Sequence, residues 1–236
     1  NHGVALRRRS TPSCRRATTD CRRGLQPTAV ALRYDPHVTH PTDSPSERPA
    51  APAPALPELR TPRLLLRPPT LDDADSYFEM INDPELNRFG SGRTVSREMA
   101  TQTVRQIVAR QGERRLELVV TLDGPVIGRV MLVVDPPNRS ASVGYGLLPA
   151  YWGRGLATEA TTATVAYVFE RLSLDRVWAR ADPRNVASLR VLEKVGMQRE
   201  GLLRKEVLRR GERVDRVYYG LLREEWAALR SVDPVT

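Results

Sequence analysis

The sequence predicts an α+β domain built on one mixed sheet of about seven strands with helices on both faces. Three observations carry this. Strand-like runs follow one another without intervening helices between residues 116 and 148. Segments with an apolar period near 3.6 lie on either side of them. One stretch alone, GYGLLPAYWGRGLATEA at 144–160, has the strand–turn–helix form that a parallel crossover needs.

The elements follow in order. RLLLRPP (63–69) is a short strand stopped by its proline pair. Thr70, with Asp73 three residues on, opens a helix carrying Ala74, Tyr77, Phe78 and Ile81 on one side and ending before Pro84. Ser96 caps a second helix whose apolar positions are Met99, Val104, Ile107 and Val108. LELVVTL (116–122), a DGP turn, VIGRVMLVV (126–134), a PPN turn and SASVGYGLL (140–148) form an antiparallel meander. After the glycine turn, ATEATTATVAYVFERL is a helix offering Ala160, Ala163, Val165, Ala166 and Phe169 for burial. DRVWARA (175–181) is a strand, and NVASLRVLEKVG is a helix with Asn185 at its start and Gly196 just past its end. Strands at 203–209 and 214–222, joined by RRGER, close the domain.

Residues 1–57 show no sustained periodicity and end in a proline-alanine stretch, so they read as a disordered tail and linker ahead of a domain at 58–236. Of the net charge of +9, this segment carries +5, from nine arginines and four acids, which leaves +4 on the domain. That modest surplus suits an anionic phosphate ligand and ranks nucleic-acid binding last. Cys14 and Cys21 lie in the tail with no second Cys or His pair nearby, so neither a zinc site nor a disulfide framework is indicated. His2, His37 and His40 lie there too, so the domain has no histidine for base or metal work and no cysteine for a covalent intermediate. A domain that needs no disulfide is compatible with the reducing cytoplasm. No run approaches ~20 uninterrupted apolar residues, and NHGVALRRRS lacks the apolar region of a secretory signal.

Three phosphate-cradling designs compete at the glycine turn. A Walker A loop needs Lys and Ser/Thr after its last glycine, where Leu156 and Ala157 stand. A dinucleotide fingerprint needs another frame and a βαβ context. The third is the acyl-CoA loop Q/R-x-x-G-x-G/A of the GNAT acetyltransferases, which Trp152-Gly153-Arg154-Gly155-Leu156-Ala157 resembles, with Trp152 in place of the usual Gln or Arg. The resemblance runs from about Arg60 to Trp226 through RLLLRPPTLDDAD, YWGRGLATEA and NVASLRVLEKVGM, and is strongest to the ribosomal-protein alanine and serine N-acetyltransferases. A helix start has unpaired N–H groups and a partial positive charge. Glycines at 153 and 155 would let a diphosphate approach the amides of Gly153, Arg154, Gly155, Leu156, Ala157 and Thr158, with Arg154 adding charge. A plain turn that needs glycine for its backbone angles is the competing explanation.

The resemblance implies acetyl-CoA as co-substrate, with no metal, and its pantetheine arm in a gap between strands 140–148 and 176–182. The arm would pair with backbone at Leu147 and Leu148 as an added strand does. The Leu147 N–H is the candidate for polarising the thioester carbonyl. Asn185 would bond the pantetheine and Ser188 would protonate the departing thiolate, or the two residues simply cap and fill a helix start. Glu206 is placed to act as base, or else forms a surface ion pair with the Arg204, Lys205, Arg209 and Arg210 around it. Glu159 stabilises its helix end electrostatically, and Tyr145, Tyr151, Trp178 and Tyr218 are packing or acceptor walls. The expected reaction is transfer of an acetyl group to a primary amine by direct attack in a ternary complex, by a monomer or homodimer. A protein N-terminus is the first acceptor class and a small amine the second; a non-catalytic acyl-CoA sensor is the rival from another class. Segments 83–98 and 203–215 are expected to shape the acceptor pocket.

Overall fold

The computed structural model of the chain describes residues 57–90, 93–112 and 114–231. The expected tail at 1–57, with its cysteines and histidines, lies outside the described residues apart from Pro57.

Two short antiparallel strands, β1 (Leu59–Arg60) and β2 (Leu65–Arg67), stand where one was expected. Pro68 and Pro69, which have no N–H to give, end the pairing. The Asp73 carboxylate then accepts the Thr70 N–H at 2.7 Å and is gripped by both ends of the Arg67 guanidinium at 2.8 Å. This capping arrangement leads through one 3-10 turn into α1 (Ala74–Asn82), which stops at Asp83 because Pro84 disfavours helical backbone before it. The Ser96 hydroxyl accepts the Met99 N–H at 3.2 Å and starts α2 (Arg97–Ala109). Ala100 and Val104 are its buried positions. Met99 and Val108 fall off that stripe and are exposed.

β3 (Arg115–Thr121), β4 (Val126–Asp135) and β5 (Ser140–Leu147) form the expected meander. From β5 the chain passes through α3 (Leu156–Glu170) to β6 (Arg176–Ala181), which runs parallel to β5. After α4 (Val186–Val195) come β7 (Gln198–Arg209) and β8 (Glu212–Leu222), with β8 inserted beside β6. The eight-stranded order is β1-β2-β3-β4-β5-β6-β8-β7. A last helix, α5 (Arg223–Ser231), was not expected. Arg223 fixes its start by donating to the Phe169 and Leu174 carbonyls, and Trp226 packs 5.2 Å from the Phe169 ring.

Strand alternation divides the sheet into two faces. Leu116, Leu118 and Val120 join the larger core with Leu156, Val165 and Phe169 of α3. Val119, between them, joins Tyr77, Met80 and Val104 of α1 and α2. On α3 the threonines Thr161 and Thr164 are buried, while Ala163 and Ala166 are only half-buried. Each threonine hydroxyl bonds back to the carbonyl four residues earlier, at 2.7 and 2.8 Å, so burial leaves no polar group unpaired. Among the described residues no helix is long and apolar enough to cross a membrane.

Candidate active site

The sheet splits between β5 and β6. They pair at Ser140–Arg176, Ala141–Val177 and Ser142–Trp178, and β5 then continues to Leu147 alone on that side. A cavity of about 290 Å³ opens into the gap. The Leu148 N–H donates to the Ile127 carbonyl at 2.9 Å, so it belongs to the ladder with β4. Alternate residues of an antiparallel strand aim their polar groups to opposite sides, so Tyr145 and Leu147 are turned to the gap. The Leu147 carbonyl takes the Trp152 indole N–H at 2.6 Å. The strand-like pairing expected at Leu147 and Leu148 therefore reduces to the Leu147 N–H: Leu148 faces away and the Leu147 carbonyl is engaged. Trp152, half-exposed, thus ties the turn to the end of β5.

At the turn, Gly153 and Gly155 have φ of 74° and 76°, in the left-handed region that favours glycine. A Cβ at Gly153 would have no neighbour within 4 Å, and one at Gly155 would meet Arg63 Nη2 at 3.6 Å, so space remains for a ligand. Conformation and access both apply here. The first bond of α3 runs from the Glu159 N–H to the Gly155 carbonyl at 3.0 Å, which leaves the amides of Leu156, Ala157 and Thr158 without a helical acceptor. Arg154 is exposed, its guanidinium 5.9 Å from the Tyr151 ring centre. Glu159 does more than favour its helix end: it accepts from the Thr61 hydroxyl at 2.6 Å and from the Arg63 N–H and Nε at 3.0 and 2.6 Å. Burial raises its pKa, but these donors outweigh burial and hold it below the usual range. Arg63, which the sequence reading did not single out, also donates to the Arg154 carbonyl at 3.0 Å and braces the turn.

Across the gap, the Asn185 side chain accepts the Ser188 N–H at 3.1 Å and caps α4. Tyr145 Oη lies 2.9 Å from the Ser188 carbonyl and 3.0 Å from Ser188 Oγ. Burial pushes the Tyr145 phenol up to about 12, so it keeps its proton at neutral pH. With that proton given to the carbonyl, Tyr145 accepts from the Ser188 hydroxyl. Asn185, Ser188 and Tyr145 all line the cavity.

Residues 63–198 match the family described as Acetyltransferase (GNAT) domain. The chain belongs to the GNAT acetyltransferases. Acetyl-CoA is its co-substrate, and the open glycine turn with its acceptor-less amides fits a diphosphate. The chain is 31% identical over 175 residues to N-acetyltransferase p20 of Bacillus licheniformis, an alignment that covers 72% of this chain and 98% of that protein. It is 36% identical over 112 residues to YdaF of Bacillus subtilis (strain 168), provisionally named a ribosomal N-acetyltransferase, over 47% of this chain and 61% of that one. Among solved structures it is similar to Mycobacterium smegmatis RimJ in complex with CoA-disulfide, with a TM-score of 0.64, 27% identity, and coverage of 75% of this chain and 92% of that one.

The other end of this GNAT site lies on the α1/α2 face of the sheet. Gly144 pairs with Met131 and Gly146 with Arg129, on the face that Val119 shares with α1 and α2. A Cβ at Gly146 would sit 3.1 Å from Leu86 Cδ1, so side chains here would fill the cavity. These alternating glycines were legible as a signal, since glycine weakens a strand unless something must come close. Of the expected pocket segments, 83–98 lines the cavity through Leu86, Asn87, Phe89 and Gly90, whereas 203–215 contributes no lining residue and only touches the first, where Arg210 Nη2 donates to the Asn87 carbonyl at 3.3 Å. Arg129, Arg180 and Arg216 line this end. Arg129 is held by the fully buried Glu117 at 2.9 Å.

Glu206 is paired, though with none of its sequence neighbours. Arg180 Nη1 and Tyr218 Oη donate to its Oε1 at 3.0 and 2.6 Å, and its buried Oε2 has no hydrogen-bond partner among the described residues. A bulge explains the placement: Leu203 faces Arg216 but Val207 faces Val214, and Lys205 takes a φ of 53°. The extra residues turn Glu206 toward β6. Glu206 does not line the cavity itself; Arg180 stands between. Asp182, in the wall, accepts from Arg184 Nε and Nη2 at 2.9 and 2.8 Å and from Arg209 Nη1 at 2.8 Å. The Arg184 hydrogen bonds, with help from Arg209, overcome burial and hold its carboxyl far below the usual range.

Proposed function

We propose that the acceptor is the α-amine of a protein N-terminus, acetylated by direct attack in a ternary complex. The carrying observation is the chemistry of the acceptor end. Its walls bear arginines, and the carboxylate among its lining residues, Asp182, is too strongly bound to act as a base. A lysine amine near pKa ~10.4 is almost wholly protonated at pH 7 and would need a strong base there, whereas an α-amine near ~8 is already about one-tenth neutral and needs far less help. The name of the relative YdaF points the same way.

In this reading the Gly153–Thr158 amides and Arg154 hold the diphosphate. Asn185, its Oδ1 committed to the cap, offers Nδ2 to the pantetheine. The Leu147 N–H donates to the thioester oxygen as negative charge gathers there. As the nitrogen–carbon bond forms and the carbon–sulfur bond breaks, Ser188 Oγ, oriented by Tyr145, gives its proton to sulfur and regains one from solvent. Glu206 Oε2 takes the amine's proton through water. The reaction is placed in the cytoplasm, where acetyl-CoA and newly made N-termini meet. The test is incubation with acetyl-CoA, peptides with free N-termini and internal lysines, and spermidine, followed by mass-spectrometric location of the added acetyl group. Acetyl groups found on lysine or spermidine and never on an α-amine would refute the reading.

A further inference from the structure

Arg216 stands apart from the other arginines of the acceptor end. Arg129 is answered by Glu117 and Arg180 by Glu206, while Arg184 and Arg209 share Asp182. Asp215, next to Arg216 in the chain, accepts the Lys205 N–H at 2.7 Å. Among the described residues no ion pair reaches Arg216, and its buried Nε has no hydrogen-bond partner. It nevertheless lines the cavity, on the same sheet face as Arg180 and Tyr218. Arg209 adds a second unanswered donor: its side chain is 7% exposed and its Nη2 has no partner. Burial first, then the nearby Arg209 charge, lower the pKa of Arg216, and the charges of Asp182 and Glu206 offset this only in part. Arg216 is half-buried, and Asp182 and Glu206 offset its charge only from a distance, so a directly paired anion would stabilise it.

We propose that Arg216 is an oxyanion subsite that binds a carboxylate side chain just after the acceptor's N-terminal residue. The guanidinium fork matches a carboxylate in two-point geometry. Arg216 is thus a specificity-determining residue: it selects N-termini followed by Asp or Glu and holds them while the α-amine reaches the gap. This rests on the N-terminal reading of the acceptor, and the experiment separates the two.

The steady-state kcat/KM is measured for the tetrapeptide amides Ala-Asp-Ala-Ala and Ala-Asn-Ala-Ala. The wild type is expected to prefer the acidic peptide by about tenfold or more, the scale of a charged hydrogen bond. Arg216→Gln is expected to erase the preference. Arg213→Gln, which removes an exposed arginine from the same strand, is expected to retain it. A second readout needs no turnover: with CoA saturating the glycine turn, inorganic phosphate at fixed ionic strength should raise the unfolding midpoint of the wild type and not of Arg216→Gln. Should Arg216→Gln not fold, Arg216→Lys keeps the charge but loses the fork, and the preference should shrink. Equal rates on the two peptides, or a preference that survives in Arg216→Gln, would overturn the subsite. No acetylation of any peptide, with the phosphate shift still dependent on Arg216, would overturn the N-terminal reading and leave the anion site standing.

Discussion

The two ends of the split between β5 and β6 are made of different materials. At the glycine turn the groups on offer are main-chain amides of consecutive residues, and the side chains nearby chiefly brace them, as Arg63 and Glu159 do. At the proposed acceptor end the lining cations are arginine side chains drawn from β4, β6 and β8, each positioned by a carboxylate from elsewhere or left unanswered. A backbone cradle depends on local conformation and accepts a ligand common to many enzymes. A side-chain chamber depends on long-range packing and can discriminate between acceptors.

That contrast can be broken at either end. The largest effect is expected from Asp182→Asn, which leaves the buried Arg209 without its counter-ion. Urea unfolding should show a loss of about 3–5 kcal/mol. Because the Asp182 pKa is lowered in the folded state, its stabilisation is full above the ordinary carboxylate value and fades as pH falls through the folded value. The variant's stability should therefore vary less with pH in acid than the wild type's. Ser188→Ala comes next: kcat should fall about a hundredfold, the scale of a lost general acid, with little change in the KM for acetyl-CoA. A normal kcat would take the acid role from Ser188 and leave the cradle untouched. Gly155→Ala forces a Cβ into left-handed backbone and should cost about 1–2 kcal/mol in stability and weaken CoA binding by calorimetry, while leaving the ratio of rates on different peptides unchanged. The smallest effect concerns pH. Since Tyr145 holds its proton up to about 12, kcat should show no alkaline fall from this group until pH nears that value. An ionisation near 9 that disappears in Tyr145→Phe would contradict the environment described for the phenol.

The same contrast governs what the sequence discloses. The meander, the crossover, the caps at Thr70, Ser96 and Asn185 and the glycine turn all depend on residues close in the chain, and all were legible. α5 escaped because Trp226 and Leu229 are too few to show a period in nine residues. Trp152 read as a departure from a pattern, yet its indole closes off the Leu147 carbonyl, a contact five residues apart that spacing alone does not reveal. Glu206 was flagged, but its partner is Arg180, twenty-six residues away, and a bulge that no local signal announces brings them together. Gly144 and Gly146 were in plain view; their meaning needed Leu86 and Met131 on the same face.

The three rungs joining β5 to β6 also make the sheet two panels sharing a short seam. A pantetheine arm placed along the open length, as proposed above, would act as mortar between them, and any ligand that binds the folded form alone makes it more durable as its concentration rises above its Kd. On that placement, the persistence of this protein against unfolding and proteolysis would follow the acetyl-CoA level around it: with the donor scarce, the catalyst itself would be perishable.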